Sequence, residues 1–187
     1  MSGAEASKRE LVGAALAFLA LYGALAVPAL WYDGMTSGAF AASILLAATL
    51  AALSAIDVYV YRLPDILTLP LATAGLLVSS AIGLAPLWWS ALSAGVGFLL
   101  LAGIAYGYQR LRGRAGLGLG DAKLLAAAGA WLGAAALPTV LLWATGSALV
   151  CVLVAARRGA SLTGASRLPF GPFLAFGTWL VWLYGAL

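Results

Sequence analysis

Two aspartates stand where an apolar segment meets a polar one. Asp57 closes the run Ala55-Ile56-Asp57 and is followed by Val-Tyr-Val-Tyr-Arg62-Leu-Pro64-Asp65. Asp121 follows Gly116-Leu-Gly118-Leu-Gly120 and precedes Ala-Lys123. The chain has only six acidic residues in 187. A carboxylate at membrane depth is costly, so two such residues raise the possibility of a functional site. A pair held together can share one proton and activate a water, the acid–base chemistry by which paired aspartates hydrolyse a peptide bond. Each residue also has a plainer reading. Asp121 and Asp65 both fit helix N-caps, Asp65 because it follows Pro64. Asp57 fits that role poorly, because an acid at a helix C-terminus opposes the dipole.

The elements that must position these residues follow from composition. Hydrophobic residues make up 64% of the chain and charged residues 9%, with mean hydropathy +1.05. Soluble domains carry about a quarter charged residues. The chain therefore reads as an all-α, polytopic transmembrane bundle in a lipid bilayer, forming one domain over residues 1–187. The pI of 9.5 does not indicate nucleic acid, since the basic residues form short clusters between apolar spans rather than one face.

A span needs roughly 20 apolar residues. Candidates are Leu11–Trp31, Ala41–Ile56 (starting near Gly38), Ile66–Leu84 and Trp88–Tyr108. The stretch from Asp121 to Ala156 is too long for one span, and Pro138 divides it into a short fifth helix, to about Ala136, and a sixth. Phe170–Leu187 is the seventh. Lys8 and Arg9, Arg62, Arg110 with Arg112 and Arg114, Lys123, and Arg157 with Arg158 and Arg167 then all fall on one side, the cytosol. The opposite loops carry only Asp33, and Trp31, Trp88, Trp89 and Trp182 gather near that outer interface as an aromatic belt. The N-terminus is cytosolic and the C-terminus outside. Lys8-Arg9 with Ala24-Leu25-Ala26 resembles a cleavable signal, but the apolar run continues to Trp31, so the first helix is expected to be retained. Both motif aspartates land on the cytosolic side, although orientation was assigned from basic residues alone.

Histidine is absent and Cys151 is the single cysteine. Ser-His-Asp and Cys-His nucleophiles, histidine zinc sites and an internal disulfide are thereby excluded. Cys151, in an apolar run, reads as a small buried hydrophobe. The alternating glycines before Asp121 read either as a flexible loop or as a segment along which an extended peptide could lie. They form no phosphate-binding loop, because no Gly-Lys-Ser/Thr follows. Leu168-Pro169-Phe170-Gly171-Pro172 reads as a kinked helix start. A small ion-coupled transporter would be expected to carry an acid near mid-bilayer, and none lies well inside any span. A membrane scaffold would make both aspartates dispensable.

Three segments in order resemble one family. Gly118-Leu-Gly120-Asp121-Ala-Lys123 with the following Leu-Leu-Ala-Ala-Ala-Gly-Ala-Trp131 is similar to the second catalytic motif of the type IV prepilin peptidases, the GxGD-type intramembrane aspartyl proteases of bacteria. Asp57 with Arg62-Leu-Pro64-Asp65 resembles the first, and Pro169-Phe-Gly171-Pro172 the C-terminal signature. The resemblance covers about residues 50 to 185. It implies Asp57 and Asp121 as the catalytic pair, with Gly118, Gly120, Lys123, Arg62, Pro64 and Asp65 shaping the site. It implies a type IV prepilin or pseudopilin substrate, cut at the cytosolic face of the bacterial inner membrane between a basic leader and an apolar helix, usually after glycine. No metal or organic cofactor is implied, and no oligomeric state. The paired zinc-binding cysteines of larger bifunctional members have no counterpart here, so the resemblance carries the peptidase half; the N-methyltransferase remains an alternative.

Overall fold

The computed structural model describes residues 3–33, 37–113, 118–158 and 168–185, and the side chains of these except 3–9, 28–33, 37 and 112. Among the described residues seven α-helices follow one another: α1 (Gly3–Asp33), α2 (Ser37–Val60), α3 (Asp65–Ala81), α4 (Leu87–Arg112), α5 (Leu119–Leu132), α6 (Leu137–Arg157) and α7 (Gly171–Tyr184). A single 3-10 turn, Ala134–Ala136, joins α5 to α6. The described residues contain no strand. Helices satisfy their own backbone polar groups, which is what a lipid solvent demands.

Seven helices of unequal length stand where seven spans are expected. Four contain stretches long and apolar enough to cross a bilayer, Glu10–Val27, Gly38–Val60, Leu87–Leu111 and Ala134–Arg157. Helices α3 and α7 are shorter apolar helices. Helix α5 has 14 residues, about 21 Å at 1.5 Å per residue, too short to cross alone. It can be short because it is central: α3, α4 and α7 all pack on it. From Asp121 to Trp131 nearly every residue is buried. Its alanine-rich sequence allows this, because between lipid-solvated helices close approach of small residues replaces the hydrophobic drive. Gly97 and Gly129 lie against the backbone carbonyls of Leu125 and Ser93, one from each side of the α4–α5 seam.

Two expectations are corrected here. Gly133, with φ +84°, breaks the chain after α5, while Pro138 sits in the first turn of α6, where its missing N–H costs nothing. Cys151 is exposed on the outside of α6 rather than buried; the helix buries Leu137, Val140, Ala144 and Ala148 instead. Trp182 takes part in the packing: its Nε1–H donates to Ser43 Oγ at 2.8 Å and its ring meets Trp131 edge-on at 5.4 Å. Trp88 and Trp89 are exposed at the start of α4. The side chains of Lys8, Arg9, Trp31, Asp33 and Arg112, and all of Arg114, Gly116 and Arg167, lie outside the described residues.

Helix α1 is tied to the elements that carry the site. Tyr22 is fully buried; its hydroxyl lies 3.2 Å from Ser54 Oγ on α2, and its carbonyl accepts Trp179 Nε1–H of α7 at 3.0 Å. One residue thus bridges α2 and α7 a single turn from Asp57.

Candidate active site

Asp57 lies in the last turn of α2, because Val58-Tyr59-Val60 carry the helix three residues past it. Tyr61 then ends the helix: its N–H donates to the Asp57 carbonyl at 2.9 Å and its φ is +53°. This left-handed cap is normally glycine's place, so the turn holds a strained tyrosine. The Asp57 side chain is 5% exposed, and its Oδ2 accepts the Gly171 backbone N–H at 3.0 Å. Gly171 is the first residue of α7, where backbone N–H groups have no partner within the helix. Its neighbour Pro172 has no N–H. A Cβ on Gly171 would stand 2.7 Å from Asp57 Oδ2, so this contact requires glycine for want of space.

Asp121 is the third residue of α5 and is 9% exposed. It is not the N-cap, as the plainer reading had it; Gly118 is, and has no side chain to cap with. The Asp121 carboxylate instead lies back over the start of its own helix, with Oδ2 3.7 Å from the point where a Cβ on Gly118 would stand. Residues far apart in the chain are thus brought to neighbouring helix ends: Leu63 lies beside Gly120, which precedes Asp121, and beside Gly171, whose N–H binds the Asp57 carboxylate.

The other expected site residues surround this pair at different ranges. Gly118 is extended, with φ −80° and ψ 145°, and Gly120 is helical, so neither uses glycine's left-handed freedom. What Gly120 supplies is clearance, since a Cβ there would stand 3.0 Å from Leu63 Cβ. Pro64 is the N-cap of α3, and its carbonyl accepts the Leu67 and Thr68 N–H groups at 3.1 Å each. Asp65 makes no cap bond; its Oδ1 pairs with Lys123 Nζ at 2.6 Å, tying the start of α3 to α5. With the two side chains 58% and 31% exposed, the pair contributes under about 1 kcal/mol. Arg62 is exposed in the turn between α2 and α3 and reaches neither aspartate through a hydrogen bond or ion pair described here. Leu63 and the backbone of Gly171 were not singled out as site residues by sequence, though Gly171 lay within the Pro-Phe-Gly-Pro segment. A cavity of about 460 Å³ lined by Trp89, Trp131 and Trp182 opens at the opposite end of α5 and has no part in this arrangement.

Fold and site together define a helical membrane bundle with a buried aspartate pair at its helix ends. Residues 44–155 match the model of the type IV leader peptidase family, and the chain belongs to that family. It is 48% identical over 155 residues to the prepilin leader peptidase/N-methyltransferase of Burkholderia pseudomallei strain 1026b, covering 83% of this chain and 50% of that protein. Proteins of the same name from Aeromonas salmonicida strain A449 and Dickeya chrysanthemi are 41% identical over 150 residues and 40% over 151. They align with 77% and 81% of this chain, and with 49% and 50% of their own lengths. The chain spans about half the length of the curated relatives it matches. No solved structure gives a significant match.

Proposed function

We propose that this chain is an intramembrane aspartic endopeptidase that removes the short basic leader from type IV prepilins or pseudopilins at the cytosolic face of the bacterial inner membrane. The observation that carries the reading is two buried aspartates, Asp57 at the end of α2 and Asp121 at the start of α5, at helix ends that meet around Leu63, with Asp57 held by the Gly171 N–H. Family membership and the relatives' names supply the substrate class.

In this mechanism one carboxylate is ionised and the other protonated. The ionised one takes a proton from a water as that water's oxygen attacks the scissile carbonyl carbon. The protonated one donates to the carbonyl oxygen. The tetrahedral gem-diol then returns one hydroxyl proton to the pair as the C–N bond breaks, and the leaving amine takes the pair's other proton, which restores the singly protonated state. Like charges this close cannot both ionise cheaply, so the pair titrates as a unit. The Gly171 N–H holds the Asp57 carboxylate in place before substrate arrives, which is where an acid–base pair gains its rate.

Asp57→Asn and Asp121→Asn should each abolish cleavage of a prepilin while the protein stays membrane-inserted. Asparagine keeps size and hydrogen bonding but cannot share the proton. Asp65→Asn should lose only a fraction of the rate, since it weakens an exposed ion pair. Processing close to wild type by either dyad variant, followed by mass spectrometry of co-expressed prepilin, would rule out the pair as the catalyst.

A further inference from the structure

At the end of α5 away from the aspartates the bundle leaves a space. Helix α5 stops at Gly133, with φ +84°, and the turn that follows, Ala134–Ala136, has only methyl side chains to fill what the helix vacates. The cavity of about 460 Å³ lies here, bounded by α3, α4, α5 and α7. Small-molecule sites run from about 300 to 1,000 Å³. None of the described residues that line the cavity is charged.

Most of its polar wall groups are already occupied. Trp131 Nε1–H donates to the Leu71 carbonyl at 2.9 Å and Trp182 Nε1–H to Ser43 Oγ at 2.8 Å. These two indoles, fixed edge-on to each other, give the cavity aromatic surface, and Trp89 adds a third. The Ser79 hydroxyl is spent on the Ala130 and Trp131 carbonyls, at 2.9 and 3.1 Å. Ser90 differs. It is 1% exposed and lines the cavity, and its hydroxyl makes no hydrogen bond to another described residue. Ser93, one turn along the same face of α4, is equally buried, and its Oγ has no partner among the described residues. A buried hydroxyl left unpaired is costly, and most costly among apolar neighbours.

We propose that this cavity is a binding site for a flat, uncharged, carbonyl-bearing ring compound that enters from the lipid. Indole faces and edges suit a ring. The Ser90 hydroxyl is a free donor for a carbonyl oxygen. With no lining charge, an ionic ligand has nothing to offset its desolvation. A lipid chain fills the same volume but leaves the hydroxyl unpaired. Trp131 and Trp182 belong to α5 and α7, whose opposite ends carry Asp121 and Gly171, so the ligand rests on two helices of the candidate active site without touching it.

The test uses the intact chain in phosphatidylcholine nanodiscs and benzophenone, a neutral aromatic ketone that cross-links to nearby C–H bonds under ultraviolet light. Labelling should saturate and map by mass spectrometry to the segments around Ser90 and Trp131. Three competitors are compared at equal concentration in the lipid. Fluorenone should displace the label about 2- to 10-fold better than fluorene, which has the same rings without the carbonyl, on the scale of one neutral hydrogen bond. A fluorenone carboxylate should displace it least. Ser90→Ala should remove the difference between fluorenone and fluorene, and Ala134→Leu, which narrows the cavity, should abolish saturable labelling. Ser90→Ala keeps the test readable if Ala134→Leu does not fold. Labelling that never saturates and spreads over the lipid-facing helices would overturn the site. So would equal displacement by fluorenone and fluorene in wild type, or a difference that survives in Ser90→Ala. No readout depends on cleavage, so the result is independent of the peptidase reading.

Discussion

Replacing Gly171 with alanine separates the geometry of the dyad from the mere presence of its carboxylates. Gly171 is not among the glycines with positive φ, so alanine meets no backbone strain. At a helix start, propensity favours it by up to about 1 kcal/mol. Against this, the new Cβ would stand 2.7 Å from Asp57 Oδ2, 3.1 Å from Asp57 Cγ and 3.2 Å from Leu63 Cδ2. Ordinary contact needs about 3.5–4.0 Å, so the carboxylate must retreat by roughly 1 Å. The atom that retreats is the one accepting the Gly171 N–H, so the same change breaks that hydrogen bond. A hydrogen bond to a charged group contributes about 1.5–3 kcal/mol. A displacement of that size at a reacting group costs on the order of 100-fold, or about 2.7 kcal/mol at 1.36 kcal/mol per tenfold. The two estimates agree, and we expect kcat for prepilin cleavage to fall about 100-fold with both aspartates intact. Thermal unfolding should show a loss no larger than the 1–3 kcal/mol of local overpacking. Gly146→Ala on α6 is the control, because no atom lies within 4 Å of its added Cβ; it should keep full activity and gain about 0.5–1 kcal/mol. A folded Gly171→Ala protein cleaving within threefold of wild type would show that the Asp57–Gly171 contact does not set the catalytic geometry.

Tyr61→Gly should raise stability by about 0.5–1 kcal/mol, since the left-handed cap costs a tyrosine about 1–2 kcal/mol and the glycine's looser unfolded chain returns part of it; a lower melting temperature would contradict the strain. Tyr22→Phe should cost about 1 kcal/mol, because the Ser54 hydroxyl keeps its bond to the Leu50 carbonyl at 2.7 Å and only the Tyr22 bond is lost; a loss above about 3 kcal/mol in detergent unfolding would mean the hydroxyl does more than this one bond accounts for. Orientation is tested by cysteine labelling in a Cys151→Ser background, needed because Cys151 is exposed. A cysteine at Leu84 should react with impermeant reagent in intact cells, and cysteines at Arg62 and Arg158 should not; the opposite pattern would put the aspartates on the wrong face for a cytosolic leader.

What the sequence made legible was set by lipid. A bilayer forces long apolar helices, and both aspartates lie at helix ends because a carboxylate inside a span is too costly. Helix ends were less legible. Val58-Tyr59-Val60 extend α2 because nothing in them stops a helix, and the stop, Tyr61 in a left-handed turn, uses a residue that sequence rules do not expect there. The break after α5 went to Gly133 rather than Pro138 for a related reason: proline is harmless in a first turn, and only the positive φ of glycine turns the chain.

The contacts that make the pair a site left no local signal. Asp65 read as a cap because Pro64 precedes it, yet its partner is Lys123, on another helix. Leu63 is one apolar residue among many, and its burial depends on two glycines brought to it from α5 and α7. The group that orients Asp57 is a backbone N–H, which every residue but proline carries. Only the absence of a side chain at Gly171 hints that something must come close. Composition can therefore announce which residues are charged at membrane depth. It cannot announce which backbone will hold them: here the free first turn of α7 meets the last turn of α2, and the Gly171 N–H donates to Asp57 Oδ2.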